Sequence, residues 1–411
     1  MNVMQDKRLI HGITGSIAAF KAAELSSKLT QMGAMVDAIL TPAAEKFITS
    51  LTLQSVTGRR AYTEDDLWGG EAHVLHIGLA HGADLLIIAP CTANTIAKLA
   101  HGEADNLLTI TALAAQCPLL IAPAMDGGML DHPATRENLA KLKERGAYIA
   151  GPAEGHLASG LSGNGRLIEP QELTGHIRLV LGRKGRLAAK KVVITAGGTQ
   201  EPLDPVRVLT NKSSGKQGYA LAQAAIDTGA EVTLISTPTA LTPPIGARVV
   251  PVQTARQMLE AVLDESANAD ALIMAAAVAD FRPKQAAENK LKKRDGIPQV
   301  ELEATDDILE AVSRRKSAKQ TPGTAEAKRP CVTVGFAAES HDLLENAGEK
   351  LKSKKLDLIA ANDISSKDAG FGLDINRVIL LYPDGKQEPL ALMSKSQVAD
   401  IIMERLASLL D

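Results

Sequence analysis

The chain has 411 residues, which at about 150 residues per domain predicts two or three domains. Hydrophobic residues make up 45% and charged residues 23%, which excludes a disordered or collagen-like chain. Lys+Arg 45 against Asp+Glu 48 leaves a net charge of -3, and aromatics are only 2%. No positive field or base-stacking platform for nucleic acid is expected, and no basic block for a membrane surface.

The opening MNVMQDKRLIHGITGS is charged and runs straight into a strand-like segment, so it does not read as a signal peptide. The longest apolar runs, such as DALIMAAAVADF, are too short to span a bilayer. Cys91, Cys117 and Cys331 lack CxxC spacing, which argues against a disulfide framework or a structural zinc. A cytoplasmic protein is expected.

RLIHGIT reads as a strand and SIAAFKAAELSSKLTQMG as a helix stopped by Gly33. AMVDAILT, ADLLIIAP, CPLLIAPAM and GAYIAGP read as further strands, with TANTIAKLAHG and PATRENLAKLKERG as helices between them. LVLGRKGRLAAKK, basic and Gly-containing, reads as a boundary near residue 185. The alternation then restarts. KVVITAGG, AEVTLIST, ADALIMAAAVAD, KRPCVTVGFAAE and LDLIAAND are strands, YALAQAAIDTG is a helix, and VILLYPDGKQEPL is a hairpin with a DG turn. SRRKSAKQTPGTAEAKRP, with no apolar period, reads as a surface loop, and SKSQVADIIMERLASLL as the last helix. Two α/β domains are therefore predicted, 1–185 and 186–411, doubly wound and Rossmann-like with mainly parallel sheets.

Several segments place small polar groups at strand ends. In ITGSIAAFK, Gly15 permits close backbone approach and Ser16 can cap the following helix, whose start favours a phosphate. The spacing is not GxGxxG, so a dinucleotide is not indicated. Thr92, Asn94 and Thr95 follow a strand ending in Pro90, and suit either helix capping or a ligand with many acceptors, such as a flavin. His73, His76 and His81 lie at spacings of three and five, without the acid or thiol partners a metal site needs. GPAEGHLASGLSGNGRLIEP repeats Gly every few residues, as a flap or a long loop would. In the second half, TNKSSGKQG offers N–H, hydroxyl and ammonium donors to phosphates, though it is not a P-loop. AAAVADFRP ends a strand in small residues and Asp280, suited to a base edge or a metal.

In combination, TGSIAAFK, HIGLAHGADLLIIAPCTANTIAKLAHG, APAM and the GRLIEP segment resemble the flavin-dependent phosphopantothenoylcysteine decarboxylase domain. That resemblance implies FMN across Gly15, Ser16, Thr41, Thr92, Asn94 and Thr95, with His76 as base. In the family it resembles, the flavin oxidises the substrate thiol, and the carboxylate then lies β to an electron sink and leaves as CO2. Two positions depart from the family. Asp126 stands where Asn normally holds the substrate carboxylate, and Ser159 where a Cys normally protonates the enethiolate. An ionised Asp126 would repel the carboxylate, whereas a protonated one would donate to it and could take over the acid role. Ser159 is too weak an acid to replace the thiol. An impaired flavin half is the alternative.

ITAGGT, DPVR, TNKSSGKQG, AAAVADFRP, KLKK, VGFAAE and ANDI, in that order, resemble the phosphopantothenate–cysteine ligase usually fused behind that decarboxylase. The resemblance implies that CTP, accompanied by Mg2+, activates 4′-phosphopantothenate as an acyl-cytidylate, which the amine of cysteine attacks. Asn211 would hold the acyl-cytidylate and Lys290 would offset phosphate charge. Ala276, Asp280, Asp306, Asp307, Ile308, Leu309, Phe336, Lys350 and Lys354 match nucleotide-contacting positions, with Asp280 also the candidate metal ligand. The family's Asn-Pro is here Thr305-Asp306, which adds a charge beside Asp307. A bifunctional enzyme of coenzyme A synthesis is expected, as a homo-oligomer with flavin sites between subunits. A flavin-binding regulatory protein is the alternative of another class, and the ligase motifs argue against it. A nicotinamide dehydrogenase would need the missing GxGxxG.

Overall fold

The structure is a computed structural model that describes residues 2–69, 74–157, 160, 162–318, 331–339, 342–363 and 374–411. The chain divides into two compact units, one ending at Gly182 and the next beginning at Arg183.

In the first unit, β1 (Arg8–Ile13), β2 (Met35–Leu40), β3 (Ala61–Tyr62), β4 (Leu85–Cys91), β5 (Leu119–Pro123) and β6 (Tyr148–Ile149) form one sheet. Its order is β3-β2-β1-β4-β5-β6 and every pairing is parallel. The helices are α1 (Phe20–Gln31), α2 (Ser50–Thr57), α3 (Leu75–His81), α4 (Ala93–His101), α5 (Leu107–Ala114), α6 (Gly127–Asp131), α7 (Pro133–Glu144) and α8 (Pro170–Gly182). A hairpin of β7 (Ala153–His156) and β8 (Ser162–Arg166) stands apart from the sheet.

Strand alternation builds two cores. Leu9, Leu85, Ile87 and Leu120 pack with Leu25 and Leu29 of α1 and with Leu173 and Ile177 of α8. Ile10, Leu86, Ile88 and Ile121 pack with Ile96 of α4, Leu107 and Leu108 of α5 and Leu142 of α7. Both faces are thus covered, which is why the strands read as continuous apolar runs. The one carboxylate on β2, Asp37, is 2% exposed. It is held by Arg8 Nε at 3.0 Å and by Arg59 Nε and Nη2 at 2.8 and 3.1 Å, the pairing a buried charge requires.

The second unit contains β9 (Lys191–Ala196), β10 (Gln200–Asp204), β11 (Arg207–Thr210), β12 (Glu231–Ser236), β13 (Arg248–Pro251), β14 (Ala271–Met274), β15 (Phe281–Pro283) and β16 (Leu302–Ala304). It continues through β17 (Val332–Glu339), β18 (Leu358–Asp363), β19 (Ile375–Asn376), β20 (Val378–Leu381), β21 (Gln387–Pro389) and β22 (Met393–Ser394). The main sheet runs β13-β12-β9-β14-β17-β18-β20-β21, parallel except for the last two pairings. Its helices are α9 (Lys216–Asp227), α10 (Ala255–Glu265), α11 (Ile308–Ala318), α12 (Leu343–Ser353) and α13 (Lys395–Leu410). Val193, Leu272 and Ile359 share a core with α10, α11 and α12, while α9 packs on α13.

The DG hairpin forms as expected, with Gly385 at φ +87°. Three expectations change. The strand read over 269–280 is ordered as a strand only over Ala271–Met274, and the chain beyond it becomes site wall. The boundary segment is narrower, because α8 continues to Gly182. The first part of the expected surface loop is the end of α11, continued by an Arg314–Glu310 pair one turn apart instead of by apolar periodicity. Residues 319–330 of that segment lie outside the described residues.

His11 on β1 is fully buried. Its Nε2 donates to the Ala89 carbonyl at 2.7 Å and its Nδ1 accepts from the Ser26 hydroxyl at 2.8 Å. Burial lowers its pKa from 6.5 to about 4, the Ala89 carbonyl opposing. As pH falls, the unfolded chain takes this proton first. The stabilisation is complete above 6.5 and disappears toward about 4, a loss of about 3 kcal/mol at the acid end. Urea midpoints across that window should fall more steeply for the wild type than for His11→Gln.

Candidate functional sites

In each sheet, connections leave in opposite directions from one strand, and ligands of open α/β sheets bind at the carboxyl ends of the strands that flank this switch point. In the first unit those strands are β1 and β4, and their ends carry the Gly15–Ser16 turn and the Thr92–Thr95 turn. Thr14, which the sequence reading passed over, joins them. Its hydroxyl donates to the Pro90 carbonyl at 2.7 Å and accepts from the Thr92 N–H at 3.0 Å. Thr14 is buried, so each partner depends on it. Thr41, after β2, bonds the Ile13 carbonyl through both N–H and hydroxyl, at 3.1 and 3.3 Å. The close approach at Gly15 is to Ala43, whose Cβ would lie 2.4 Å from an added Cβ. Gly15, Thr41 and Thr92 thus sit around one crevice.

The capping roles are present. Ser16 accepts from the Ala18 N–H at 3.3 Å, and Thr92 caps α4 by accepting from the Thr95 N–H at 3.4 Å. Asn94 is exposed and Thr95 buried. Hydroxyls and helix starts around an open crevice fit a phosphate and the acceptor edge of a flavin.

Beside this crevice lies a cavity of about 480 Å³, whose wall includes Ser16, Lys21, Met125, Asp126, His156 and Arg166. Asp126 is the N-cap of α6, accepting from the Gly128 N–H at 3.0 Å. His76 is half-buried on α3 and is not part of that wall. Ser159 and His73 lie outside the described residues.

In the second unit the switch point falls between β9 and β14. The Gly197–Gly198 turn leaves β9 against Ala277, with the Ala277 N–H on the Gly197 carbonyl at 2.8 Å. A Cβ on Gly218 would come within 2.5 Å of Ala196 Cβ, so this glycine lets α9 lie against β9. Between them opens a cavity of about 580 Å³ that brings together Asn211, Ala276, Asp280, Asp306, Asp307, Ile308, Leu309, Phe336 and Lys350. Asn211 Nδ2 donates to the carbonyls of Ala277 and Val278 at 3.3 and 3.0 Å. That orientation leaves Oδ1 as the end offered to a ligand. Lys350 Nζ donates to the Phe336 carbonyl at 3.0 Å.

Lys290 and Lys354 are not in the wall. Lys290 is exposed on the segment between β15 and β16. Lys354 pairs with Asp307 at 3.0 Å and Glu310 at 3.6 Å. Burial raises the Asp307 pKa, but the Glu310 N–H and Lys354 outweigh it and hold the carboxyl below its ordinary range. Among the described residues no group of three His, Cys, Asp or Glu side chains gathers to hold a metal. An ion at Asp280 would therefore take most of its ligands from a nucleotide and water, as Mg2+ commonly does.

The sequence reading missed Gln217, Asn362 and Lys395, all in this wall. Gln217 Oε1 and Asn362 Oδ1 are buried without a hydrogen-bond partner among the described residues. Such acceptors are rare and fit a ligand bearing hydroxyl or amino donors, as a nucleotide and an amino acid do. Lys216 and Lys395 each open a helix, a position where the dipole disfavours a cation. Burial and then the Lys216 charge lower the Lys395 pKa, with Asp374 opposing. Two cations placed against their helix dipoles fit a site for anions.

The chain carries a flavoprotein domain followed by a nucleotide-type α/β domain. The Flavoprotein family model matches residues 2–181, and the model "DNA/pantothenate metabolism flavoprotein C-terminal domain" matches residues 187–410. The chain is 43% identical over 410 residues to the coenzyme A biosynthesis bifunctional protein CoaBC of Bacillus subtilis, covering 99% of this chain and 98% of that protein. It is 42% identical over 414 residues to the namesake from Vibrio vulnificus, covering 100% of both. A solved C-terminal domain of such a protein shares 38% identity and covers 55% of this chain and 98% of its own, with a TM-score of 0.45. The chain belongs to the family of coenzyme A biosynthesis bifunctional proteins. Among the described residues, no helix is long and apolar enough to cross a membrane.

Thr14→Val would leave the Pro90 carbonyl and the Thr92 N–H without their partner at nearly constant volume. The expected cost is about 1–3 kcal/mol, read as a lower Tm, with Thr14→Ser restoring most of it.

Proposed function

We propose that this chain catalyses two consecutive steps of coenzyme A synthesis. The second unit joins 4′-phosphopantothenate to cysteine with CTP, and the first decarboxylates the product, 4′-phospho-N-pantothenoylcysteine, to 4′-phosphopantetheine with FMN. The observation that carries this reading is kinship with bifunctional relatives over the whole chain, the second unit having a cavity at its switch point and the first a cavity beside its own.

In the ligase half, CTP with Mg2+ enters the 580 Å³ cavity. The unpaired oxygens of Gln217 and Asn362 favour its donor groups or those of cysteine. Lys216, Lys350 and Lys395 offset phosphate charge, and Asp280 would be the one carboxylate offered to the metal. The substrate carboxylate attacks the α-phosphorus and pyrophosphate leaves. Asn211 Oδ1, aimed by its bonds to Ala277 and Val278, then orients the acyl-cytidylate for attack by the cysteine amine, which expels CMP. Lys290 and Lys354 act from outside the wall, Lys354 by holding Asp307 in place.

In the decarboxylase half, Gly15, Ser16, Thr41, Thr92, Asn94 and Thr95 would hold FMN. When bound, it supplies the electron-pair exchange that makes loss of CO2 possible. His76 takes the thiol proton. Asp126, protonated in the closed site, donates to the substrate carboxylate and returns a proton to the product. A homo-oligomer with flavin sites between subunits completes the proposal. Exposed Trp68, Leu51 and Leu113, the tryptophan 87% exposed, support an interface on this unit. A cytoplasmic location is proposed with it.

Incubation with 4′-phosphopantothenate, cysteine, CTP and Mg2+, followed by mass, should show conversion through to 4′-phosphopantetheine. A stop at 4′-phospho-N-pantothenoylcysteine would mean that Asp126 and Ser159 impair the flavin half. Absence of any condensation product would overturn the reading.

Asn211→Ala should slow condensation by roughly 100-fold without changing decarboxylation of supplied intermediate. Asp126→Asn should slow formation of 4′-phosphopantetheine, and an unchanged or faster rate would remove its acid role.

A further inference from the structure

Asp204, the last residue of β10, is 3% exposed. Its Oδ1 accepts from the Val206 and Arg207 N–H groups at 2.8 and 2.9 Å, which shapes the turn into β11. Its Oδ2 leaves that turn and accepts from the Leu291 N–H at 3.2 Å. Arg207 Nη2 donates to the Leu291 carbonyl at 2.5 Å, and Arg207 Nε lies 3.5 Å from Asp204 Oδ2. Both polar groups of Leu291 are therefore held, by an acid and a base that are paired with each other. Upstream, the Ala287 N–H donates to the Leu203 carbonyl at 3.0 Å. The segment between β15 and β16 is thus fastened to the β10–β11 turn at 287 and 291, on either side of Lys290.

The turn alone does not require this arrangement. Asparagine forms the same turn through its side-chain oxygen, without the cost of burying a charge. What asparagine lacks is a second acceptor, and the second acceptor of Asp204 goes to Leu291. The residue directly before Leu291 is Lys290, exposed and outside the cavity wall. A long cation on a loose segment must be ordered each time it meets a ligand, and a fixed backbone removes part of that cost. We propose that Asp204 is a positioning residue of the ligase half: together with Arg207 it clamps the Leu291 peptide and so fixes the backbone from which Lys290 reaches the nucleotide. The inference rests on the ligase reading above. It accounts for how a lysine outside the wall can act on the phosphates.

Asp204→Asn separates the two jobs. The amide oxygen keeps the turn, while the amide nitrogen meets the Leu291 N–H, donor against donor. In the full-length protein, condensation of 4′-phosphopantothenate with cysteine should slow roughly 10- to 100-fold. Trypsin should cut the Lys290–Leu291 bond faster than in wild type and its other sites at the same rate. In a Lys290→Ala background, itself slow, Asp204→Asn should slow condensation no further, because the side chain it positions is gone. The same slowing in both backgrounds would assign Asp204 to structure alone and overturn the clamp. Wild-type condensation in either single variant, or wild-type cutting after Lys290 in Asp204→Asn, would overturn it as well. Should Asp204→Asn fail to fold, Arg207→Met keeps the test open, since that side chain is exposed and holds the Leu291 carbonyl. It should show the same selective cut, and its absence would overturn the clamp. A wild type that forms no condensation product would overturn the ligase reading, while the cutting pattern would still report on the clamp.

Discussion

A parallel sheet wound in both directions from one strand cannot cover the point where the connections part. In this chain that constraint operates twice, at β1–β4 and at β9–β14. The polypeptide must close enough of each gap to be stable and leave enough of it open to bind. It does so with short side chains that bridge strand ends. Thr14 ties the Pro90 carbonyl to the Thr92 N–H, and Asn211 ties its loop to the Ala277 and Val278 carbonyls. Binding groups on either side of each gap are therefore fixed relative to one another before any ligand arrives, which lowers the ordering cost of binding.

The strands flanking both gaps were legible because a strand buried on two faces has an uninterrupted apolar run, and ADLLIIAP and KVVITAGG are such runs. Helix α8 was not, because its Leu173–Ile177–Val180 stripe follows a Gly-rich segment that reads as flap and linker. β10 and β11 were missed because β11 is exposed throughout and has no alternation to find. Among site residues, Asn211 and Asp280 stood out by motif. Thr14 did not, since one threonine at a strand end has no distinctive spacing. Lys216 and Lys395 did leave a signal, a cation at the first position of a helix, but it is readable only once the helix start is known.

The two halves use charge differently. In the ligase half several cations are spread around a polar cavity, and carboxylates such as Asp307 and Asp374 hold them at its edge. This suits a polyanionic ligand, as the nucleotide proposed above would be. In the flavin half the buried Lys21 and the half-exposed Arg166 share one carboxylate, Glu169.

The edges of the eight-stranded sheet bear on what this protein can associate with. On β13 the Val252 N–H points inward to the Ser236 carbonyl, so by alternation the position of Pro251 faces outward. On β21 the Leu390 N–H points inward to Val378, and Pro389 takes the outward place. Each outer edge therefore lacks a donor where another strand would pair. The two prolines disfavour extension of this sheet by the edge strand of a second copy. Association through this part of the second unit is left mainly to side-chain surfaces, where it can be specific.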